Sequence, residues 1–133
     1  MSSETTQQQG SKPPFILVVD DETRIADTLA LILCSKNYEC EAAYDGAAAL
    51  QICRKRLPNL IISDVVMPGM SGIELAITVS REFPSSKIVL FSGQAATEQL
   101  MQQALSAGHS FDLLAKPVHP VQLLEKVSTL LSK

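Results

Sequence analysis

Apolar and polar positions alternate along this chain in blocks that predict strands and helices in turn. The continuous apolar run Phe15–Val19 is typical of a strand that is buried on both faces of a parallel sheet. From Ile25 onward the apolar residues recur at the spacing of one helix face, and Asn37 marks the end of that helix. One strand followed by one helix is therefore predicted at the start of the pattern.

The same alternation continues to the end of the chain. Further strands are predicted over Tyr38–Tyr44, Leu60–Asp64, Lys87–Phe91 and Phe111–Ala115, and helices over Ala47–Arg56, Ile73–Phe83, Thr97–Ala107 and from Val121 onward. Strands that alternate with helices favour a parallel sheet with right-handed crossovers and helices on both faces. The sequence thus predicts a single α/β domain over residues 14–133, preceded by a disordered polar tail over residues 1–13.

Composition and charge narrow the classes of function. The 133 residues fit one domain with its own core, and eleven basic against fourteen acidic side chains give little support to nucleic-acid binding. The short basic cluster Arg54–Arg56 ends a predicted helix, where cations meet the negative end of the helix dipole. The polar N-terminal stretch is unlike a signal peptide, and no apolar run is long enough to span a bilayer. We therefore expect a cytoplasmic protein that binds neither nucleic acid nor membranes by itself.

The three cysteines, Cys34, Cys40 and Cys53, have neither the paired spacing of a zinc site nor a Cys-x-x-Cys redox motif. We interpret them as buried, reduced thiols.

Polar residues follow four of the predicted strands. Asp20 and Asp21 follow the first strand, Asp64 ends the third, Ser92 follows the fourth and Lys116 the fifth. In open α/β sheets, ligands bind outside the carboxyl ends of the strands, close to the point where the strand order reverses. We expect these five side chains to converge at one edge of the sheet.

Three carboxylates held close together disfavour full ionisation unless a positive charge lies among them. A hard cation with oxygen ligands meets this need, and Mg²⁺ is preferred because it uses few carboxylates and keeps waters or phosphate oxygens in its octahedron. The sequence predicts a Mg²⁺ site, with Lys116 as a second positive charge.

Four motifs in this order resemble the receiver domains of response regulators in two-component systems, in particular the chemotaxis-regulator-like ones. The motifs are Asp20-Asp21-Glu22, Asp64 with Met67-Pro68-Gly69-Met70-Ser71-Gly72, Phe91-Ser92-Gly93 and Lys116-Pro117. The resemblance covers roughly residues 14 to 132. It implies a flavodoxin-like, doubly wound sheet of five parallel strands in the order 2-1-3-4-5.

The resemblance also implies the chemistry of the site. Asp64 would attack the phosphoryl group of a phosphohistidine and form an acyl phosphate. Asp21, Asp64 and the backbone carbonyl of Val66 would bind Mg²⁺ directly, and Asp20 would act through a coordinated water. Lys116 would neutralise charge on the phosphoryl oxygens.

After modification, Ser92 would hydrogen-bond a phosphate oxygen and bias a two-state surface toward a partner. The implied partners are a sensor histidine kinase or a histidine phosphotransfer protein, and a downstream protein that the sequence does not identify. Receivers often pair through the face formed by the fourth helix, the fifth strand and the fifth helix. A second copy of this chain, bound after phosphorylation, is therefore also among the implied partners. The domain would catalyse only its own phosphorylation and dephosphorylation, so it is not expected to be an enzyme in the usual sense.

Some positions depart from the family pattern. Leu113 stands where receivers carry an aromatic residue three positions before the lysine, and Phe111 lies two positions away on the same strand face. The segment from Gly108 to Leu113 is about one residue longer than usual. Val66 and Gln94 occupy the positions that flank the path of the hydrolytic water, and an apolar Val66 predicts slow self-dephosphorylation.

Several alternatives remain at this point. Asp20 and Asp21 could merely cap the following helix. A phosphatase that forms an aspartyl phosphate would place its nucleophile after the first strand in an Asp-x-Asp pattern, which this chain lacks. A binding-only pseudo-receiver is suggested by Leu113 and opposed by the intact set of site residues. His109 and His119 have no partner at metal-ligand spacing and are not assigned to the site, nor are the side chains of residues 67–72.

Overall fold

The described residues form a five-stranded parallel sheet flanked by helices. The computed structural model describes residues 12–93, 96–106, 108 and 111–132. The strands are β1 (Phe15–Val19), β2 (Glu39–Ala43), β3 (Leu60–Asp64), β4 (Lys87–Ser92) and β5 (Asp112–Ala115), and the helices are α1 (Thr23–Cys34), α2 (Gly46–Lys55), α3 (Gly72–Glu82), α4 (Ala96–Ser106) and α5 (Pro120–Leu131). Strands and helices alternate throughout, as the hydrophobic pattern predicts.

The strand order is β2-β1-β3-β4-β5, and every neighbouring pair is parallel. The chain runs from β1 to the edge at β2 and then crosses back past β1 to β3, so the order reverses between β1 and β3. The predicted flavodoxin-like order 2-1-3-4-5 is confirmed. The topological switch point therefore lies at the carboxyl ends of β1 and β3, where ligands of such sheets bind.

Alternate residues of β1 pack into the two hydrophobic cores, one on each face of the sheet. Ile16 and Val18 pack with buried residues of α1 and α5, whereas Leu17 and Val19 pack with buried residues of α2 and α3. Because both faces are covered, all five residues of β1 are buried, which explains why the sequence reads there as an unbroken apolar run.

The predicted boundaries mostly lie within one or two residues of the observed ones. Asn37 adopts a left-handed φ of 73° three residues after α1 ends at Cys34, in keeping with its predicted role as a stop signal. The prediction that Phe111 lies on the last strand is wrong, because β5 begins at Asp112. Within the part of the chain that the structure covers, no helix is long and apolar enough to cross a bilayer.

The prediction for the cysteines needs a correction. All three are free thiols, but only Cys53 is buried, Cys40 is half-buried and Cys34 is exposed. Cys34 follows Leu33 in α1 and lies off the helix face on which Ala26, Leu29 and Leu33 are buried. Burial raises the pKa of the Cys40 thiol to about 12, with a further contribution from a hydrogen bond with Cys34.

Candidate functional site

The register of the sheet brings the predicted site residues to one edge. Val19 lies opposite Ser63 in the β1–β3 pair, so Asp20 and Asp64 follow at the same level. Asp64 is opposite Phe91 on β4, and Ser92 is opposite Ala115 on β5, which directly precedes Lys116. The parallel pairing therefore carries four segments of the chain to the carboxyl ends of adjacent strands.

Three carboxylates form an acidic pocket at this edge. Asp20, Asp21 and Asp64 each offer a carboxylate oxygen, and these oxygens lie within 4.8 Å of one another. Asp20 and Asp64 are buried, whereas Asp21 is exposed. The pocket therefore has a buried floor at Asp20 and Asp64 and is open to solvent at Asp21.

The residues present fit a hard cation. Asp20 Oδ1 accepts a hydrogen bond of 2.9 Å from the Glu22 backbone N–H. Its other carboxylate oxygen, Oδ2, is buried and has no hydrogen-bond partner among the described residues. A buried carboxylate oxygen without a partner carries a desolvation cost that a cation or its bound water would relieve. The all-oxygen donor set suits Mg²⁺.

The pKa of Asp20 reflects this environment. Burial raises it from the usual 3.8 to about 6, and the neighbouring carboxylates of Asp64 and Asp21 add to the rise. The Glu22 N–H and the Lys116 ammonium act in the opposite direction. Without a bound cation, the buried charge of Asp20 therefore opposes folding at neutral pH.

Lys116 supplies a fixed positive charge beside Asp64. Its Nζ lies 3.4 Å from Asp64 Oδ1 and 5.1 Å from the centroid of the Phe91 ring. Burial raises the pKa of Asp64 above its usual range, while the charge of Lys116, its hydrogen bond and a backbone hydrogen bond from Val66 act to lower it. The ammonium thus keeps a positive charge close to the carboxylate that ends β3.

The other predicted site residues surround this group. Ser92 ends β4, is half-buried, and its carbonyl accepts the Lys116 backbone N–H at 3.4 Å. The side chain of Val66 is 48% exposed beside the pocket, directly after the buried Val65. The predictions for Gln94 and His109 lie outside the described residues. His119 is the N-cap residue before Pro120 at the start of α5, consistent with a structural role.

Helix capping does not account for the two adjacent aspartates. The N-cap residue of α1 is Glu22, and it makes no side-chain capping hydrogen bond. Asp20 bonds the backbone N–H two residues ahead of it, which shapes the turn between β1 and α1 rather than the helix end. One oxygen of Asp20 therefore orders the turn, and the other has no hydrogen-bond donor among the described residues.

Gly72 is a feature of the site that reasoning from the sequence missed, because residues 67–72 were not assigned to the site. A Cβ atom placed on Gly72 would lie 2.0 Å from the backbone oxygen of Asp64. No pattern in a single sequence shows such a contact, since it joins the first residue of α3 to the last residue of β3 across the loop.

Leu113 and Phe111, the two residues discussed for the aromatic position before Lys116, lie in different environments. Leu113 is 44% exposed on β5, whereas Phe111 is half-buried and packs against a core cluster that contains Ile73, Leu90 and Ala104. Phe111 therefore packs the start of β5 against α3 and α4. The exposed position, Leu113, carries an aliphatic side chain.

The fold and the acidic pocket together define a receiver-type protein of two-component signalling. The model of the response regulator receiver domain matches residues 16–128. The chain belongs to this family.

Known proteins agree with this assignment. A structure of a CheY-like receiver domain protein from Methanospirillum hungatei is 33% identical, with a TM-score of 0.82 over 90% of this chain and 94% of that one. Chemotaxis protein CheY4 of Vibrio cholerae is 30% identical, with a TM-score of 0.78 over 89% of this chain and 98% of that one. Response regulator GtcR of Aneurinibacillus migulanus is 28% identical over 89% of this chain and 48% of its own length. This chain spans about half the length of the curated relatives it matches.

The buried charge of Asp20 leads to a prediction for the metal-free protein. Its folded pKa of about 6 exceeds the usual 3.8, so the contribution of this group to stability is fully present below pH 4 and is lost as pH rises through 6. Asp20→Asn should therefore raise the free energy of unfolding at pH 8 by about 1–3 kcal/mol. Urea unfolding in the presence of a chelator measures this gain. A gain of equal size at pH 4 would show that the ionised carboxylate is not its source.

Proposed function

We propose that this domain accepts a phosphoryl group on Asp64. A carboxylate oxygen of Asp64 attacks the phosphorus of a phosphohistidine, the P–N bond breaks, and its electron pair stays on the ring nitrogen, which takes a proton from solvent as the imidazole leaves. The new P–O bond makes an acyl phosphate on the side chain. The observation that carries the proposal is the ammonium of Lys116, 3.4 Å from Asp64 Oδ1 in an acidic pocket.

The electrostatics of the pocket suit this reaction. Phosphoryl transfer depends mainly on positioning and on neutralising charge at the phosphoryl oxygens. Lys116 provides one positive charge to those oxygens, and Mg²⁺ would supply a second when bound. Asp21, Asp64 and the carbonyl of Val66 would hold the metal, and Asp20 would act through a water, which would give its unpartnered Oδ2 a donor.

The charge that phosphorylation adds to Asp64 would change the surface that binds a partner. Once Asp64 carries a phosphoryl group, the hydroxyl of Ser92 can donate to one of its oxygens and draw the end of β4 toward the pocket. The phosphate would come from a sensor histidine kinase or a histidine phosphotransfer protein, and the changed surface would bind a downstream protein or a second copy of this chain. The domain performs no reaction other than its own phosphorylation and dephosphorylation.

A small donor with a P–N bond tests this proposal without the cognate kinase. Phosphoramidate and Mg²⁺ should label the protein, and hydroxylamine should release the label because it cleaves acyl phosphates. A label that resists hydroxylamine, or that forms equally on Asp64→Asn, would place the phosphate on a different residue and contradict the proposal.

The exposed side chain of Val66 leads to a prediction for the lifetime of the phosphorylated state. An apolar side chain beside the pocket cannot orient the attacking water by a hydrogen bond. Val66→Asn should therefore speed the loss of phosphate about threefold to tenfold. The control is Val66→Ala, which shortens the side chain without adding a polar group. Equal decay of the native protein and Val66→Asn would refute the expectation.

A further inference from the structure

The first residue of α3 packs against the backbone of the phosphoacceptor. A Cβ on Gly72 would lie 2.0 Å from the Asp64 carbonyl oxygen and 2.9 Å from both the Asp64 carbonyl carbon and Val65 Cα. Carbon and carbonyl oxygen in non-bonded contact stay about 3.3 Å apart or more, so a methyl group here requires a displacement of about 1 Å. The opposing atoms are all backbone, and no side-chain rotation can make room.

The carbonyl of Asp64 is held on a second side by Ser63. The buried hydroxyl of Ser63 donates to the Asp64 carbonyl oxygen at 2.9 Å. The next peptide is held as well, because the Gly72 N–H donates to the Val65 carbonyl at 2.8 Å and the Val65 N–H donates to the Phe91 carbonyl at 3.3 Å. The backbone that leaves β3 is thus fixed by α3, by β4 and by its own preceding side chain.

Helix α3 cannot easily retreat from this contact. Ser71 and Glu74 form a complete capping box, with hydrogen bonds of 2.9 and 3.1 Å, which stabilises the first turn of α3 but makes no bond to β3. Directly after Gly72, Ile73, Leu75 and Ala76 are buried. Any separation forced at Gly72 therefore falls at least partly on the end of β3, which carries Asp64 and leads into Val66.

We propose that Gly72 and Ser63 are positioning residues that hold the Asp64–Val66 backbone in the geometry needed for metal binding and phosphoryl transfer. This inference rests on the proposed function. Neither residue touches the phosphoryl group. They act through the direction of the Asp64 side chain, the Val66 N–H that bonds the Asp64 carboxylate, and the Val66 carbonyl beside it. An error of about 1 Å in such geometry can cost about a hundredfold in rate.

The test compares Gly72→Ala with Ser71→Ala in the full chain. Ser71→Ala removes the capping hydroxyl of the residue before Gly72. It lowers stability without placing an atom against Asp64. Mg²⁺ affinity is measured by calorimetric titration, the rate of phosphorylation by acetyl phosphate is measured at saturating Mg²⁺, and folding is checked by circular dichroism. Gly72→Ala should bind Mg²⁺ about tenfold or more weakly and react about tenfold or more slowly, whereas Ser71→Ala should change both by less than about twofold.

Ser63→Ala keeps the inference testable if Gly72→Ala does not fold. Loss of the hydroxyl removes one of the two restraints on the Asp64 carbonyl and should weaken Mg²⁺ binding about 2- to 10-fold in a folded protein. Unchanged Mg²⁺ affinity in Ser63→Ala, or a folded Gly72→Ala that matches Ser71→Ala, would overturn the inference. If the native protein itself takes no phosphate, the proposed function fails instead, and the Mg²⁺ titrations still decide the positioning role.

Discussion

Lys116→Met should lower the rate of phosphorylation by acetyl phosphate about 10²- to 10³-fold at saturating Mg²⁺. Lys116 Nζ lies 3.4 Å from Asp64 Oδ1 and is the ammonium beside the carboxylate. A preorganised cation aimed at the oxygens where charge develops contributes about this factor, and Met keeps the length of the side chain without its charge. The rate is obtained from the phosphorylated fraction at successive times, measured by intact-mass spectrometry on quenched samples.

Lys126→Met is the matched control for this variant. Lys126 Nζ also lies 3.4 Å from a carboxylate oxygen, that of Asp112, but this ion pair is on the surface and away from the pocket. Surface pairs of this kind contribute about 0–1 kcal/mol to stability, so the control should fold as the native protein does. Because Lys126 lies away from the pocket, the control should also phosphorylate at the native rate. If both variants slowed the reaction equally, a general loss of positive charge rather than the position of Lys116 would explain the effect.

Removal of divalent cations should reduce phosphorylation to the level of the Asp64→Asn background. The three carboxylates offer oxygens within 4.8 Å of one another, and an incoming phosphoryl group would add further negative charge to the same pocket. Without a cation the approach of that group is repelled, and Lys116 alone does not balance the acidic side chains. The measurement is the phosphorylated fraction after a fixed time, with Mg²⁺ and with excess chelator.

Metal binding should also appear as a gain in stability, because a ligand that binds the folded state raises its unfolding midpoint. The midpoint should rise with Mg²⁺ concentration in the native protein and much less in Asp21→Asn, which loses one proposed ligand. A rise that persists in Asp21→Asn, together with phosphorylation in chelator, would show that the acidic pocket is not the metal site.

The fold could be predicted from the sequence because whole segments are buried, and a buried segment shows in the sequence as a run of apolar residues. A strand covered on both faces, such as Phe15–Val19, must be apolar at every position, and a parallel sheet then fixes which ends of the strands meet. The same argument placed Asp20, Asp64 and Lys116 at one edge, which the structure confirms. Placement of these residues therefore followed from topology, whereas their chemical roles rest on the proposal.

Other features could not be predicted, because they depend on distances across loops. The contact of Gly72 with the Asp64 carbonyl arises from the path of residues 65–71, which no periodicity describes. The exposure of Cys34 depends on which face of α1 packs against the sheet, because Cys34 lies about 100° around the helix from the buried Leu33. The burial of Phe111 likewise depends on how α3 and α4 pack, rather than on its spacing from Lys116.

The acyl phosphate on Asp64 is the central claim, and intact-mass spectrometry tests it most directly. The native chain and Asp64→Asn are incubated with acetyl phosphate, with and without Mg²⁺. We expect the mass of one phosphoryl group to be added only to the native chain and only with Mg²⁺. No added mass, under conditions where another receiver domain reacts fully, would contradict the account and favour a domain that keeps the fold but has lost the switch.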